Sequence, residues 1–113
     1  MCTKNQLDEI GRRIANKAIE ELGDRLDRLL LYGSYARGDF DGDSDIDIMV
    51  IADISEAEAN RLEEELVKFT TRIDLEFDVI ISLYVKDKGS FYKWSNVLPF
   101  YKNVLSEGVS LIA

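Results

Sequence analysis

The sequence predicts one α+β domain of mixed α/β character, in which amphipathic helices cover a β-sheet. Apolar residues recur at three- and four-residue steps in some segments, and form continuous or alternating runs in others. The length of 113 residues and the 46% hydrophobic content suit a single core, and one proline with seven glycines leaves little room for a linker. We therefore expect residues 1–113 to form one domain.

The first half of the chain predicts a helix, two strands and an intervening loop. Thr3 and Gln6 have the spacing of a capping box at the start of a helix over residues 3–21. A strand at 26–32 ends in an apolar run, which is typical of a buried position. One helical turn at 35–38, a polar loop at 39–44 and a strand at 45–52 are expected next.

The second half predicts a helix at 55–69, capped by Ser55 with Glu58, and a long alternating strand at 73–85. A turn at 87–90, a helix at 99–107 that begins with Pro99, and a short edge strand at 109–112 complete the chain. The aromatic residues between this turn and the helix at 99–107 are expected to pack in the core or in a lid, rather than to stack against a nucleobase: Phe91, Tyr92 and Trp94.

Composition restricts the chemistry. The chain has no histidine and one cysteine, Cys2, so a metal site would have to use oxygen ligands, which favour magnesium or manganese over zinc. A net charge of −8 argues against direct binding to nucleic acid. The chain shows neither a signal peptide nor an apolar run long enough to span a membrane, so we expect a cytoplasmic protein.

Acidic residues at alternate positions indicate the candidate metal ligands. Asp45 and Asp47 would lie on the same face of a strand, with α-carbons roughly 7 Å apart, so their carboxylates could share cations. A pair of divalent ions there would suit phosphoryl-type transfer. A third carboxylate would come from the neighbouring strand; Asp78 is the first choice, with Asp74 and Glu76 on the same predicted face.

A second motif, Gly33-Ser34, follows the first strand. Glycine allows close approach of the backbone, and the next helical turn could offer N–H groups and the Ser34 hydroxyl to phosphate oxygens. Arg37 could neutralise a phosphate or pair with a loop aspartate, and both roles stay open. The loop aspartates themselves are expected to be solvated or paired with Arg37: Asp39, Asp41 and Asp43.

Gly33-Ser34, ten residues, and then Asp45-x-Asp47 resembles the GS-x10-D-x-D signature of the polymerase-β-like nucleotidyltransferase superfamily. The flanks LYGSYARGD and SDIDIMV are similar to its minimal nucleotidyltransferase family, and the likeness continues through FDVII and LPFYKNVLSEGV. It implies a nucleotidyltransferase fold with a central mixed sheet flanked by helices.

The resemblance also implies a mechanism. Two Mg²⁺ ions, or Mn²⁺, would be held by Asp45, Asp47 and Asp78, with Asp78 as third ligand or base, and the triphosphate of ATP would lie at Gly33 and Ser34. Arg37 is a further candidate phosphate-binding residue, on the reasoning given above. AMP would pass to a hydroxyl, expected to be a tyrosine of a partner HEPN-domain toxin, so that the protein acts as an antitoxin. No second acceptor-binding domain is expected, and homo-oligomerisation stays open.

Two other functions remain in view. The chain could silence a partner by contact alone, without turnover. It could also be the catalytic subunit of a split transferase that modifies a small molecule such as an aminoglycoside.

Overall fold

The computed structural model describes residues 3–112; Cys2 lies outside this range. Five α-helices, one short 3-10 helix (Gly23–Arg25) and four strands follow one another along it, with two α-helices in succession after the third strand. None of the described helices is long and apolar enough to cross a membrane. The elements are α1 (Lys4–Leu22), β1 (Leu26–Tyr32), α2 (Ser34–Arg37), β2 (Ile46–Ala52), α3 (Glu56–Phe77), β3 (Ile81–Asp87), α4 (Lys88–Ser95), α5 (Pro99–Glu107) and β4 (Val109–Ser110).

The four strands form one mixed sheet in the order β3-β2-β1-β4, which confirms the predicted fold class. β1 runs antiparallel to both β2 and β4, whereas β2 and β3 are parallel and are joined by the crossover helix α3. β1 and β2 therefore occupy the centre of the sheet. Their side chains are mostly buried, as the apolar runs predicted.

Alternation along the central strands divides the core between two faces of the sheet. One face packs against α1 and α3 through alternate strand residues such as Leu29, Ile48 and Val50. The opposite face packs against α4 and α5, and its buried residues form a smaller cluster: Leu30, Tyr32, Met49, Ile51, Phe91 and Val104. The odd-numbered residues of β2 belong to this second face, which places Asp47 on the side of α5.

The predicted long strand at 73–85 is wrong over its first half. α3 continues eight residues beyond the predicted end at residue 69, to Phe77, and β3 begins only at Ile81. Leu66, Thr70 and Ile73 are buried at helical spacing, so the apolar stripe of α3 continues through the predicted break. Leu75, which the alternating pattern assigned to the buried face of a strand, is 82% exposed.

Capping residues mark the ends of these helices. Thr3 and Gln6 form the predicted capping box at α1, and the Ser55 side chain accepts the Glu58 N–H at the start of α3. The predicted turn at 87–90 is instead the start of α4, because the Asp87 side chain accepts the Ser90 N–H and nucleates a helix. Helix α5 has its predicted bounds.

Candidate active site

The two halves of the sequence motif meet where β1 ends and β2 begins. Tyr32, the last residue of β1, pairs with Asp47 near the start of the antiparallel strand β2. Gly33 and Ser34 follow directly and begin α2. The ten residues between Ser34 and Asp45 thus form a loop that brings the chain back to the end of β1. Gly33, Ser34 and Asp47 therefore line one cleft of about 370 Å³.

Gly33 lies directly against the carboxylate of Asp47. A Cβ atom at position 33 would overlap the Asp47 Oδ2 atom and would lie only 3.2 Å from its Cγ atom. The φ angle of Gly33 is also positive, at 74°, a conformation that L-residues rarely adopt. Glycine is therefore required for two separate reasons, and one of them is the position of an acidic side chain of the site.

Asp47 lies on β2, and Asp45 lies two residues before it, just ahead of the first residue of the strand. Both are half-buried, and burial raises the pKa of the Asp47 carboxyl, with a further increase from the negative charge of Asp45 and an opposing effect of Arg37. Two like charges with incomplete hydration would be stabilised by a cation. One or two carboxylates with substrate phosphates form the usual protein site for Mg²⁺, and this pair fits that description.

The neighbouring strand does not supply a third carboxylate. Ser82 is the β3 residue paired with Asp47, and its hydroxyl donates a hydrogen bond to Asp45 Oδ2 at 3.2 Å. Asp74 and Glu76, which were predicted on this strand, lie on α3 instead. Within residues 3–112, no group of three or more acidic or cysteine side chains is arranged to hold a metal ion together.

Glu76 is directed away from the site. Both of its carboxylate oxygens contact the guanidinium of Arg13 on α1. Nη1 donates a hydrogen bond to Oε1 at 3.0 Å, and Nη2 lies 2.9 Å from Oε2. The hydrogen bond from Arg13, together with its positive charge, lowers the pKa of Glu76. Glu76 therefore links α3 to α1 and is removed from the candidates for the third ligand.

Asp74 and Asp78 remain near Asp45. Asp74 Oδ1 accepts the Ile81 N–H at 3.0 Å; burial raises the pKa of Asp74, the Ile81 N–H lowers it, and the charge of Asp45 raises it further. Asp78 is exposed at the left-handed end of α3, with φ 54°, and lines a second cleft of about 300 Å³ together with Asp45. Asp78 as the third carboxylate stays a prediction, and it is not on a strand.

The proposed phosphate-binding residues have defined surroundings. Ser34 is half-buried in the cleft with Asp47, whereas the Ala36 and Arg37 N–H groups both donate to the Gly33 carbonyl, which leaves those two amides committed within the turn. Arg37 lines the same cleft and pairs through Nε with Asp39 Oδ2 at 3.2 Å. Pairing with a loop aspartate, one of the two roles left open for Arg37, is thus present in the structure.

The loop between α2 and β2 is closed by its own side chains. Asp41 Oδ1 accepts the Asp43 N–H at 2.8 Å, and the Asp41 N–H donates to the Ser44 hydroxyl at 2.9 Å. The loop aspartates thus form a local turn and an ion pair.

Helix α5 forms the opposite wall of the Asp47 cleft, which the sequence reasoning missed. Phe100, Asn103 and Glu107 line this wall, and Glu107 Oε2 pairs with Arg37 Nη1 at 3.1 Å. Their spacing of three and then four residues in the sequence indicates that these side chains share one face of the helix. Which way that face turns depends on the tertiary packing, and no local pattern specifies it.

Comparison with known proteins agrees with this geometry. Residues 12–110 match the model of the nucleotidyltransferase domain family. Two relatives come from Methanocaldococcus jannaschii: "Putative protein adenylyltransferase MJ0604", 34% identical over 74% of this chain and 76% of that protein, and "Putative protein adenylyltransferase MJ0141", 37% identical over 59% of this chain and 66% of that protein.

Solved structures share the fold. A toxin–antitoxin crystal structure with AMP-PNP has a TM-score of 0.54 at 22% identity, over 89% of this chain and 72% of the other. A mutant of the MntA-HpeT toxin–antitoxin pair has a TM-score of 0.54 at 20% identity, over 91% and 72%. With a family match that covers most of its length and a motif whose halves meet in space, this chain belongs to the nucleotidyltransferase domain family.

Proposed function

We propose that this protein transfers AMP from ATP to a hydroxyl group of a partner protein, and that this modification makes it an antitoxin. The observation that carries the proposal is the contact between Gly33 and the carboxylate of Asp47, which joins the glycine–serine turn to the acidic pair. The same residues without that contact would be an ordinary turn and an ordinary acidic strand.

The reaction needs few groups from the protein. The oxygen of the acceptor hydroxyl attacks the α-phosphorus of ATP, the bond from that phosphorus to the bridging oxygen breaks, and pyrophosphate leaves. The hydroxyl proton passes to a carboxylate of the site or to water. Asp45 and Asp47 would hold Mg²⁺ or Mn²⁺, which neutralises phosphate charge and lowers the pKa of a bound hydroxyl. Asp78, beside Asp45 in the second cleft, would serve as third ligand or base.

Ser34 and Arg37 would contact the triphosphate. Arg37 already lies in the cleft between two carboxylates, Asp39 and Glu107, so a phosphate oxygen would exchange with one of these partners without a large movement of the guanidinium. The partner is proposed to be a HEPN-domain toxin with an acceptor tyrosine. Support comes from the protein adenylyltransferase relatives and from neighbours of the same fold that are toxin–antitoxin proteins.

The test uses ATP labelled on either the α- or the γ-phosphate, with Mg²⁺ and a purified HEPN-domain toxin as the proposed acceptor. We expect the α-label, and not the γ-label, to appear on the HEPN protein, and its acceptor tyrosine to be identified by mass spectrometry. A double Asp45→Asn, Asp47→Asn variant should lose the transfer. The matched control is Asp41→Asn with Asp43→Asn, which removes the same charge at the same spacing from the loop and preserves its turn.

Transfer that persists in the Asp45→Asn, Asp47→Asn variant would exclude the mechanism, and γ-label on the acceptor would indicate a kinase. One observation favours a second function, silencing by contact alone: the β3 register places Ser82, rather than a carboxylate, beside Asp47. Neutralisation of the toxin by the doubly substituted protein, at the wild-type level, would support that alternative.

A further inference from the structure

The wall of the Asp47 cleft that faces α2 is one side of helix α5. Phe100, Asn103 and Glu107 recur at three- and four-residue steps and all line the cleft. The next face of the helix is anchored: Val104 is 1% exposed in the second core cluster, and a Cβ atom at Gly108 would come within 3.3 Å of Leu30 on β1. The helix that carries the three side chains is thus fixed against the sheet, on the side of the cleft opposite Asp47.

Phe100 is a large apolar side chain left open inside this cleft. It is 50% exposed, and its ring meets the ring of Tyr32 edge to face, with centroids 5.8 Å apart. Tyr32 is itself buried and is paired with Asp47 across the sheet. An aromatic ring that is supported from one side and exposed on the other is suited to stacking against a nucleobase, and such stacking accepts any base.

Asn103 could supply the selectivity that stacking lacks. Its side-chain amide offers both donors and an acceptor, and makes no hydrogen bond to another group in the part of the chain that the structure describes. An asparagine amide can pair with the N6 and N7 atoms of adenine together. Glu107 is differently placed, because its carboxylate is engaged with Arg37.

The volume of the cleft agrees with a ligand of this kind. At about 370 Å³ it lies within the range of about 300–1,000 Å³ that is usual for small-molecule sites. Phosphate-side residues, Ser34 and Arg37, lie on one wall, and Phe100 with Asn103 lies on the other. A triphosphate on the first wall would leave its nucleoside to the second.

We propose that α5 is the base-recognition element of this cleft: Phe100 stacks on the nucleobase, and Asn103 selects adenine by its amide. The assignment rests on the proposed function for the identity of the ligand as a nucleoside triphosphate. It adds residues of this chain that determine which base is accepted.

Calorimetric binding without any acceptor protein tests the assignment. The probes are Mg²⁺ complexes of a non-hydrolysable ATP analogue, the matching GTP analogue, and inorganic tripolyphosphate, which has the phosphates and no base. Phe100→Ala should weaken binding of the ATP analogue roughly 5- to 150-fold and leave tripolyphosphate within about twofold of wild type. Phe100→Trp should restore binding. Trp94→Ala is the matched control, an aromatic side chain 44% exposed that does not line the cleft.

Asn103→Leu, which keeps the approximate size of the side chain, should reduce the preference for the ATP over the GTP analogue roughly 5- to 150-fold. The proposal is overturned if the Phe100 and Asn103 variants bind the analogues as wild type does. It is equally overturned if Phe100→Ala weakens the binding of tripolyphosphate as much as that of the ATP analogue. The same holds if the wild-type protein binds tripolyphosphate and the ATP analogue with equal affinity. Failure of the proposed function looks different: the binding pattern holds, and no AMP reaches an acceptor.

Discussion

A Gly33→Ala substitution would place a methyl group where the carboxylate of Asp47 now lies. The new Cβ atom would overlap Asp47 Oδ2 and approach the Asp47 Cγ atom to 3.2 Å, so the carboxylate would have to rotate away. The backbone at this position, φ 74° and ψ −155°, would also be strained for any residue with a Cβ atom. We therefore expect losses in both stability and cation binding.

The two costs can be added. Holding a non-glycine residue in this region of φ and ψ costs about 1–3 kcal/mol, and forcing a side chain off its rotamer costs about 0.5–1.5 kcal/mol, so unfolding should become easier by about 1.5–4.5 kcal/mol. At roughly 4 °C per kcal/mol for a domain of this size, Tm should fall by roughly 6–18 °C. Mn²⁺ affinity should fall by about 10- to 100-fold, because Gly33 no longer leaves room for the carboxylate of Asp47, a proposed ligand, in its present orientation.

Circular dichroism at pH 7 without divalent cations measures the first effect, and Mn²⁺ titration measures the second. Gly23→Ala is the matched control, because Gly23 also has a positive φ, of 55°. A Cβ atom added at Gly23 would meet no neighbouring group within 4 Å. It should show the backbone cost alone. Adding Asp47→Ala to Gly33→Ala should recover about 0.5–3 kcal/mol relative to additivity. If Gly33→Ala behaves like Gly23→Ala and the double variant is additive, the contact has no energetic importance.

Three other predictions concern separate features. Because burial and then the charge of Asp45 raise the pKa of Asp47, the folded state binds this proton more tightly than the unfolded chain, and stability from this group falls as pH rises from the usual 3.8 through the raised value. Asp47→Asn should make the decrease in stability with pH less steep and should raise Tm at pH 7 without divalent cations. Equal slopes of Tm against pH for this variant and the wild type would contradict the prediction. Asp43→Asn, in the loop, is the control. Asp74→Ala should cost about 1–3 kcal/mol in urea unfolding by leaving the Ile81 N–H unpaired, whereas Asp74→Asn should retain most of the stability. Thr71→Pro, at an exposed position two residues beyond the predicted end of α3, should cost about 3 kcal/mol, and wild-type stability in that variant would restore the predicted helix end near residue 69.

The acidic pair and the glycine–serine turn were predictable because their geometry is local. Asp45 and Asp47 are two residues apart where β2 begins, so the alternation of an extended chain is enough to predict a shared face. Gly33 follows an apolar run that could only be a buried strand, which located the turn. What local reasoning could not show is that Gly33 and Asp47 touch, since this contact depends on the antiparallel register of β1 and β2.

The predicted boundary between α3 and β3 was wrong because two hydrophobic patterns overlap in this part of the sequence. Over residues 73–79 an alternating pattern and a helical pattern share Ile73 and Phe77, which are four residues apart, and they differ chiefly at Leu75. A leucine on the solvent side of a helix departs from the amphipathic pattern, and only the folded structure, in which Leu75 is 82% exposed, shows that the helical pattern prevails. The candidates for the third carboxylate were therefore assigned to a strand, whereas Asp74 and Glu76 lie on α3 and Asp78 caps its C-terminus.

The Asp47 cleft draws its walls from distant parts of the chain, and this has a consequence for synthesis. Asp47 and Gly33 belong to one wall and Phe100 to the other, more than fifty residues later. At about 5–20 residues per second, a ribosome would need roughly 3–11 s to add that interval. A nascent chain therefore carries the paired aspartates before the helix that covers them exists, and it acquires the complete cleft only when the last helix has emerged and packed onto β1.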